Sequence, residues 1–252
     1  MKIEAPAAAH IPALRQLWQE AFADEEIFLD AFFSKAFSCG RCLCVMEGGV
    51  PVSAAYWFDT TCYGRDMAYI YAVATRKSHR GQGLCRMLLT EIHRVLMAQG
   101  YAGALLVPGD EGLARMYERI GYRFSAFVRE AEYAAGDTGA ALEKLSAAEY
   151  LRRRAELLPP GGAALQEKHA PFLDTQAKFY AGEGFLTAME QGDDGLRGIE
   201  LLGNSSAAPG ILRTLGAERG VFCMPGTEQA FAMYYPIDET VSPPVYFNFP
   251  FG

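Results

Sequence analysis

A short glycine-containing segment, Arg80-Gly81-Gln82-Gly83, is the part of the chain whose residue types and spacing best suit chemistry. Arg76, Lys77 and Arg86 flank it, and no Asp or Glu lies between Met67 and Thr90 although the chain is acidic overall. Glycine lets a backbone approach a ligand closely, and the amides of a helix's first turn have no partners within the helix. Such amides, aided by the helix dipole, bind anions. The segment therefore predicts a pyrophosphate site, the alternative being a glycine turn with a solvated basic rim.

Regular elements surround this segment and must position it. It follows a predicted strand, Ala68–Thr75, and opens into a predicted helix whose apolar residues recur at helical spacing up to Gly100. A short buried strand, Ala104–Val107, and a brief helix ending before Gly121 come next, followed by a strand over Arg123–Tyr133. This alternation predicts an α/β fold of mixed, α+β type.

Two motifs in this region resemble those of the GNAT superfamily, the acyl-CoA-dependent N-acyltransferases. The first family motif is Arg/Gln-x-x-Gly-x-Gly/Ala between a strand and a helix, and it reads Arg80-Gly81-Gln82-Gly83-Leu84-Cys85 here. The second is a strand, then a short helix with a tyrosine and a Gly-aromatic pair: Leu105–Val107, Tyr117 and Gly121-Tyr122. The resemblance identifies residues 1–135 as a GNAT acetyltransferase domain, in which helices flank a central mixed sheet.

The resemblance also implies how the site would work. Acetyl-CoA, the co-substrate, would place its pyrophosphate on the motif formed by Arg80, Gly81, Gln82, Gly83, Leu84, Cys85 and Arg86. Its pantetheine arm would pair along the preceding strand near Val73, where a backbone N–H would hydrogen-bond the thioester oxygen. An amine would attack directly, and Tyr117 would protonate the departing thiolate. Many relatives carry a glutamate base where Tyr69 stands, so here the acceptor's proton would leave through water or another carboxylate.

The resemblance places the acceptor pocket at the first two predicted helices. Aromatic and acidic residues are mixed there, namely Phe22, Phe28, Phe32, Phe33, Phe37, Asp24, Glu25, Glu26 and Asp30. An acidic rim beside aromatic rings would suit a cationic amine. A phenylalanine core with a solvated acidic edge is the alternative. The predicted acceptor is therefore an amine of a small molecule or of a peptide.

Short sequence patterns of the first half recur in the second half of the chain, residues 142–252. Pro108-Gly109-x-Glu111 and Met116-Tyr117 reappear as Pro225-Gly226-x-Glu228 and Met233-Tyr234, at a constant offset of 117 residues. We interpret this half as a degenerate GNAT-like domain in tandem with the first, because the segment corresponding to the glycine loop is missing. It would shape the acceptor cleft without binding CoA.

Three further features belong to the second half. Ser146 and Glu149 predict a capping box for a helix that runs through Leu158. The run Arg152-Arg153-Arg154 on this helix is interpreted as a solvated face rather than a nucleic-acid site. The apolar end, Val245–Gly252, is expected to bury itself against the body or a partner subunit, which leaves a homodimer open.

Composition excludes several classes of protein. The chain has 252 residues, of which 50% are hydrophobic and 21% charged, and its net charge of −7 argues against a general nucleic-acid binder. No run of roughly 20 apolar residues predicts a membrane span. The amino terminus has no signal-peptide shape, so we expect a cytoplasmic protein with free thiols. Cys39, Cys42 and Cys44 approach the spacing of a metal knuckle, but no second pair follows, and no metal is predicted.

The sequence is also compatible with two alternatives to an acetyltransferase. Cys85 stands where the family usually has Gly or Ala, and a thiol at a helix amino terminus can have a lowered pKa and act as a nucleophile. Small-residue packing is the better interpretation of this cysteine. The other alternative is a non-catalytic acyl-CoA-binding or regulatory protein, suggested by the missing strand carboxylate.

Overall fold

The computed structural model describes residues 1–192 and 195–250. Its strands are β1 (Lys2–Glu4), β2 (Cys42–Glu47), β3 (Val50–Cys62), β4 (Arg65–Thr75), β5 (Gly103–Leu106), β6 (Arg123–Ala134), β7 (Glu143–Leu145), β8 (Ala164–Leu165), β9 (Lys178–Gly182), β10 (Phe185–Gly192), β11 (Gly195–Gly203), β12 (Arg219–Pro225) and β13 (Gln229–Pro236). Its helices are α1 (Ile11–Phe22), α2 (Glu26–Ala31), α3 (Leu84–Ala98), α4 (Glu111–Ile120), α5 (Ala147–Leu157), α6 (Ala170–Leu173) and α7 (Ala208–Leu215). The strands form one sheet in the order β1-β2-β3-β4-β5-β13-β6-β12-β11-β10-β9-β7, with β8 beside β3.

The predicted class is confirmed, because helices flank a mixed sheet and the elements of the first half follow the predicted order. The capping box of Ser146 and Glu149 at the start of α5 is also confirmed. Strand β3 extends beyond the apolar run Val52–Phe58 of the sequence at both ends. It continues through Asp59 and Thr60, which are polar but only 1% and 0% exposed. Both have hydrogen-bond partners, Thr60 through its hydroxyl to the Met67 carbonyl, so the strand can bury them.

The two halves share the sheet through an exchange of strands at its centre. Strand β13, from the second half, lies between β5 and β6 of the first half and is antiparallel to both. Strand β6 in turn pairs with β12 of the second half. Farther out, β5 runs parallel to β4 and β12 runs parallel to β11. The second half therefore completes the sheet of the first, and the division into domains 1–135 and 142–252 stays a prediction.

The recurring sequence patterns occupy equivalent positions in the two halves of the structure only in part. Pro108-Gly109 follows β5, and Pro225-Gly226 ends β12, so this pair occupies matching places on either side of the centre. Met116-Tyr117 lies on helix α4, however, whereas Met233-Tyr234 lies on strand β13. That recurrence is not a structural correspondence, because β13 follows β12 after only residues 226–228. A degenerate second copy therefore stays a prediction that rests on element order.

Apolar layers cover both faces of the sheet. On one face, helices α1, α2, α5 and α6 contribute to a core that contains Trp18, Phe32 and Phe172. Most of the apolar end lies in the same core, since Tyr246, Phe247 and Phe249 are at most 1% exposed, whereas Val245 is exposed. Phe251 and Gly252 lie outside the described residues. On the other face, α3 and α4 pack on the first half and α7 on the second. The apolar end is thus buried against the body, as expected.

The arginine run on α5 was predicted to be a solvated face, and one of its members contradicts this. Arg152 is exposed and Arg153 is half-buried, but Arg154 is 1% exposed and pairs with Glu200 of β11 at 2.7 Å. Successive residues of a helix point about 100° apart, so three in a row cannot share one face. Arg154 lies four residues after the buried Tyr150, which places both on the inner face.

Helix α3 carries a buried histidine that makes stability depend on pH. The Nε2 atom of His93 lies 2.8 Å from the Tyr122 hydroxyl, and its ring stacks on Tyr235 with the ring centroids 3.8 Å apart. Burial lowers the pKa of His93 from 6.5 to about 4. The unfolded chain therefore binds a proton at a higher pH than the folded chain does. The stabilisation is complete above pH 6.5 and is lost as the pH falls toward 4.

We expect His93→Gln to weaken this pH dependence. Glutamine can still hydrogen-bond the Tyr122 hydroxyl but does not titrate. In urea titrations between about pH 7 and pH 4.5, the wild-type free energy of unfolding should fall by on the order of 2 kcal/mol more than that of the variant. His169, whose pKa burial also lowers to about 4, should keep a residual dependence in both proteins. Equal slopes would contradict the assignment to His93.

Candidate active site

The predicted anion-binding segment forms an open loop between β4 and α3. Gly81 and Gly83 both have a φ of +76°, a left-handed conformation that suits glycine, and a Cβ at either position would meet nothing within 4 Å. Helix α3 begins at Leu84, and no side chain of the described residues caps it. The amides of its first turn therefore face the loop without a partner, at the positive end of a 15-residue helix.

A groove of about 710 Å³, which we call the glycine-loop groove, borders this loop. Of the predicted CoA-binding residues, the groove is lined by Val73, Arg80, Gly81, Gly83, Leu84, Cys85 and Arg86. Gln82 is not among its lining residues, and its side-chain nitrogen lies 3.5 Å from the Ser78 carbonyl oxygen. Arg119, near the end of α4, lines the groove as well. Arg119 was not predicted, because only the fold shows that this end of α4 faces the loop.

Strand β4 leaves its regular pairing next to the groove. It pairs with β5 only from Met67 to Tyr69, and its register with β3 slips after Tyr71. Ala72, at this slip, has a φ of +49°, which costs a non-glycine residue roughly 1 kcal/mol or more. Bulges of this kind leave residues of the longer strand unpaired and concentrate at functional sites. The pairing of β4 with β5 thus ends before Val73, which lines the groove, and the oxyanion role of its backbone N–H stays a prediction.

A second cavity of about 390 Å³ adjoins the groove. We call it the aromatic cavity, because its lining includes Trp18, Phe22, Tyr69, Tyr71 and Tyr117, together with Asp24. The two cavities share four lining residues, which are Phe22, Val73, Leu113 and Tyr117. A ligand in the groove and a ligand in the aromatic cavity would thus meet beside Tyr117.

Tyr117 occupies the junction of the two cavities. It is 6% exposed, and its hydroxyl has no hydrogen-bond partner among the described residues. Burial, reinforced by the nearby Cys85 and Asp110, raises the pKa of the Tyr117 hydroxyl above its usual 10. The phenol therefore keeps its proton at neutral pH. It can donate that proton to an atom held in the junction.

Asp24 is the carboxylate of the aromatic cavity. Its Oδ2 atom accepts a hydrogen bond from Trp18 Nε1 at 2.7 Å, and its carbonyl oxygen accepts one from Gln19 Nε2 at 3.1 Å. The residue directly follows Ala23, whose left-handed φ of 58° ends helix α1. Burial, and secondarily the charge of Asp24, raises the pKa of Tyr71. Asp24 thus holds a fixed negative charge on a wall that is otherwise rich in aromatic rings.

The other members of the predicted acceptor rim lie elsewhere. Glu26 and Asp30 pair with Arg15 on the outer side of the helices, Asp30 at 2.8 Å. The remaining phenylalanines pack with the core around Trp18 and Tyr56, namely Phe28, Phe32, Phe33 and Phe37. The structure therefore brings Phe22 and Asp24, out of the predicted set, into the aromatic cavity.

Tyr69, at the position where relatives often have a glutamate, is part of the cavity wall. It is 2% exposed, and burial raises its pKa well above 10. Its ring stacks on Phe58 with centroids 6.2 Å apart and meets Phe247 at 4.7 Å. A buried phenol with a raised pKa does not accept a proton, so Tyr69 does not replace the glutamate as a base.

Cys85, the alternative nucleophile, is a half-buried thiol in the first turn of α3. Burial raises the pKa of the Cys85 thiol to about 11, which is opposite to the lowering that a nucleophile requires. This favours the packing interpretation. All six cysteines are free thiols. Across residues 1–192 and 195–250, no three His, Cys, Asp or Glu side chains are placed to hold a metal ion, and no helix there is long and apolar enough to span a membrane.

Comparisons with known proteins bear on the family and the fold of the chain. Residues 2–125 match the family model described as acetyltransferase (GNAT) domain. Three solved structures align with 94% of this chain. A GCN5-related N-acetyltransferase from Kribbella flavida has a TM-score of 0.71, 19% identity and 71% of its own length aligned. A GCN5-related N-acetyltransferase from Anabaena variabilis has a TM-score of 0.71, 15% identity and 72% of its own length aligned. Eis1 from Mycobacterium abscessus has a TM-score of 0.70, 13% identity and 74% of its own length aligned. At such identities the likeness shows the fold, and no curated protein matches the chain.

Proposed function

Because residues 2–125 are a GNAT acetyltransferase domain, we propose that this acyltransferase moves an acetyl group from acetyl-CoA to a primary amine of a small molecule or peptide. The observation that carries the proposal is the meeting of the glycine-loop groove and the aromatic cavity at Tyr117. The glycine-loop groove suits an anionic co-substrate, and the aromatic cavity suits an amine. Their shared wall carries a proton donor.

The glycine-loop groove supplies the binding energy for acetyl-CoA. The free amides at the start of α3 and the side chains of Arg80, Arg86 and Arg119 face the pyrophosphate. Asp110 also lines the groove, so three positive side chains stand against one carboxylate there. The pantetheine arm lies along β4 beyond Tyr69, where the pairing with β5 has ended. A backbone N–H near Val73 then stabilises the charge that develops on the thioester oxygen.

The reaction proceeds by direct attack within the junction. The amine nitrogen forms a bond to the thioester carbon, and the carbon–sulfur bond breaks as the tetrahedral intermediate collapses. The Tyr117 hydroxyl gives its proton to the departing sulfur and regains one from solvent. The nitrogen loses its surplus proton to water or to the Asp24 carboxylate. No covalent enzyme intermediate is needed.

The aromatic cavity favours an acceptor that carries positive charge. Asp24 provides one fixed negative charge, and the faces of Trp18, Phe22 and Tyr71 attract cations. A polyamine, an aminoglycoside or the amine of a basic peptide combines a nucleophilic nitrogen with such a charge. The cavity therefore discriminates by charge as well as by shape.

An amine screen tests the proposed function. Wild-type protein with acetyl-CoA should release CoA, followed with a thiol reagent, and yield an acetylated product by mass spectrometry. The panel contains polyamines, aminoglycosides and peptide amines. The proposal fails if every amine reacts at the uncatalysed background rate.

Asp24→Asn should raise KM for a cationic acceptor about 10-fold, the loss expected for one hydrogen-bonded charge, and leave KM for acetyl-CoA unchanged. Asparagine still accepts the hydrogen bond from Trp18, so the wall keeps its shape. Glu25→Gln is the matched control, because it removes the same charge from the adjacent, exposed residue outside the cavity. An acceptor KM that is equal in wild type and Asp24→Asn would show that this carboxylate does not bind the acceptor.

A further inference from the structure

A buried ion pair in the second half takes no part in the proposed reaction. Arg154 of α5 and Glu200 of β11 are 1% and 0% exposed and form two hydrogen bonds, of 2.7 and 2.8 Å. The hydroxyls of Tyr150 and Tyr246 donate to the same carboxylate. Taking two charges out of water is costly, and a well-packed apolar pair often stabilises a fold equally well. The pair therefore calls for an explanation other than stability.

The ion pair holds the end of the chain. Arg154 Nη2 donates to the carbonyl oxygen of Asn248 at 2.9 Å, and the guanidinium carbon lies 5.1 Å from the centre of the Phe249 ring. From the same stretch, Tyr246 donates to Glu200 at 2.7 Å. Both charges are thus bonded directly to the carboxy-terminal stretch. These bonds are directional, so they fix the stretch in one arrangement.

This C-terminal segment, residues 246–249, packs against the wall of the aromatic cavity. The ring centroid of Tyr69 lies 4.7 Å from that of Phe247 and 6.0 Å from that of Phe249. Tyr69 in turn lines the aromatic cavity and is 2% exposed. Since Tyr69 is packed between the segment and the cavity, a shift of the segment changes the wall.

We propose that Arg154, Glu200 and Tyr246 are positioning residues for the acceptor. They fix the C-terminal segment, and the segment fixes Tyr69 against the aromatic cavity. The second half thereby acts on acceptor binding without contributing to the glycine-loop groove. This inference rests on the proposed function, which makes the aromatic cavity the acceptor site.

Two chemically matched variants test the proposal. Tyr150→Phe and Tyr246→Phe each remove one buried hydroxyl that donates to Glu200, but the first hydroxyl comes from α5 and the second from the C-terminal segment. Tyr246→Phe should raise KM for the best amine of the screen about threefold to tenfold, with kcat and KM for acetyl-CoA within twofold of wild type. Tyr150→Phe should leave all three constants within twofold. The proposal is overturned if both variants, or neither, raise the acceptor KM.

A double variant tests the ion pair itself. Arg154→Met with Glu200→Leu replaces two buried charges by apolar side chains of similar length, and far-UV circular dichroism shows whether it folds. The folded double variant should raise the acceptor KM about tenfold without changing KM for acetyl-CoA. A folded double variant with the wild-type acceptor KM would overturn the proposal. If the double variant does not fold, the comparison of the two tyrosine variants decides.

Hydrogen exchange separates this inference from the proposed function, because it needs no turnover. Amides of β4 (Arg65–Thr75) should exchange faster in Tyr246→Phe than in Tyr150→Phe or wild type. If wild type acetylates no amine, the proposed function fails, and the exchange comparison still tests the positioning role. Equal exchange of β4 in the two variants would overturn that role.

Discussion

Replacing Tyr117 with phenylalanine should lower kcat by about 100- to 1,000-fold while the Kd for acetyl-CoA stays within about threefold. The hydroxyl is the group lost, and Tyr117 lines both cavities at the junction where the departing sulfur is proposed to lie. The ring stays, so the packing of α4 against the sheet is unchanged. kcat comes from the thiol-release assay and Kd from titration calorimetry. Without the proton, the thiolate leaves as an anion in a half-buried site, which raises the barrier.

Tyr122→Phe is the matched control for this prediction. Tyr122 lies five residues further along the chain, and its ring centroid is 5.9 Å from that of Tyr117. Its hydroxyl is hydrogen-bonded to His93, however, and Tyr122 lines neither cavity. This control should lose some stability and keep its kcat within about threefold. If Tyr117→Phe keeps the wild-type kcat, a different group protonates the sulfur. If both variants lose activity together, the effect is structural.

The local features of the site could be predicted from the sequence because neighbouring residues determine them. The glycines of the loop, the helix that starts at Leu84 and the tyrosine on α4 all lie within one stretch whose order is itself the signal. Gly81 and Gly83 take left-handed conformations that few other residues could adopt, so their types report the turn directly. The bounds of the strands and helices next to the loop agree with the structure to within a few residues for the same reason.

Features that depend on distant parts of the chain could not be predicted. The exchange of β6 and β13 at the centre joins strands about a hundred residues apart, and nothing in either strand specifies its partner. Asp24 could not be distinguished from its acidic neighbours, since only the fold turns it toward Trp18 and the cavity. The burial of Arg154 could not be predicted either, because arginine is usually exposed and its partner Glu200 lies 46 residues away along the chain.

The glycine loop yields the second prediction with a large effect. Gly83→Asp should raise the Kd for acetyl-CoA about 100-fold more than Gly83→Asn does. Asn and Asp enter the left-handed region more readily than other non-glycine residues, and a side chain at this position meets nothing within 4 Å. Both variants should therefore fold, which melting temperatures verify. They have nearly the same shape and differ in one negative charge.

That charge would stand at the start of α3, where the pyrophosphate is proposed to bind. Two like charges about 5 Å apart at a surface-like dielectric repel by roughly 3 kcal/mol, which corresponds to the expected factor of about 100. The difference between the two variants should shrink as salt is raised from about 0.05 to 0.5 M, because the loop is open to solvent and the charges are screened. For the asparagine variant, the Kd for acetyl-CoA should rise only by the smaller amount that the added side chain causes, and this rise should change little at high salt. Equal Kd values for the two variants would mean that no anion binds at the first turn of α3, and the groove would then hold some other part of the co-substrate.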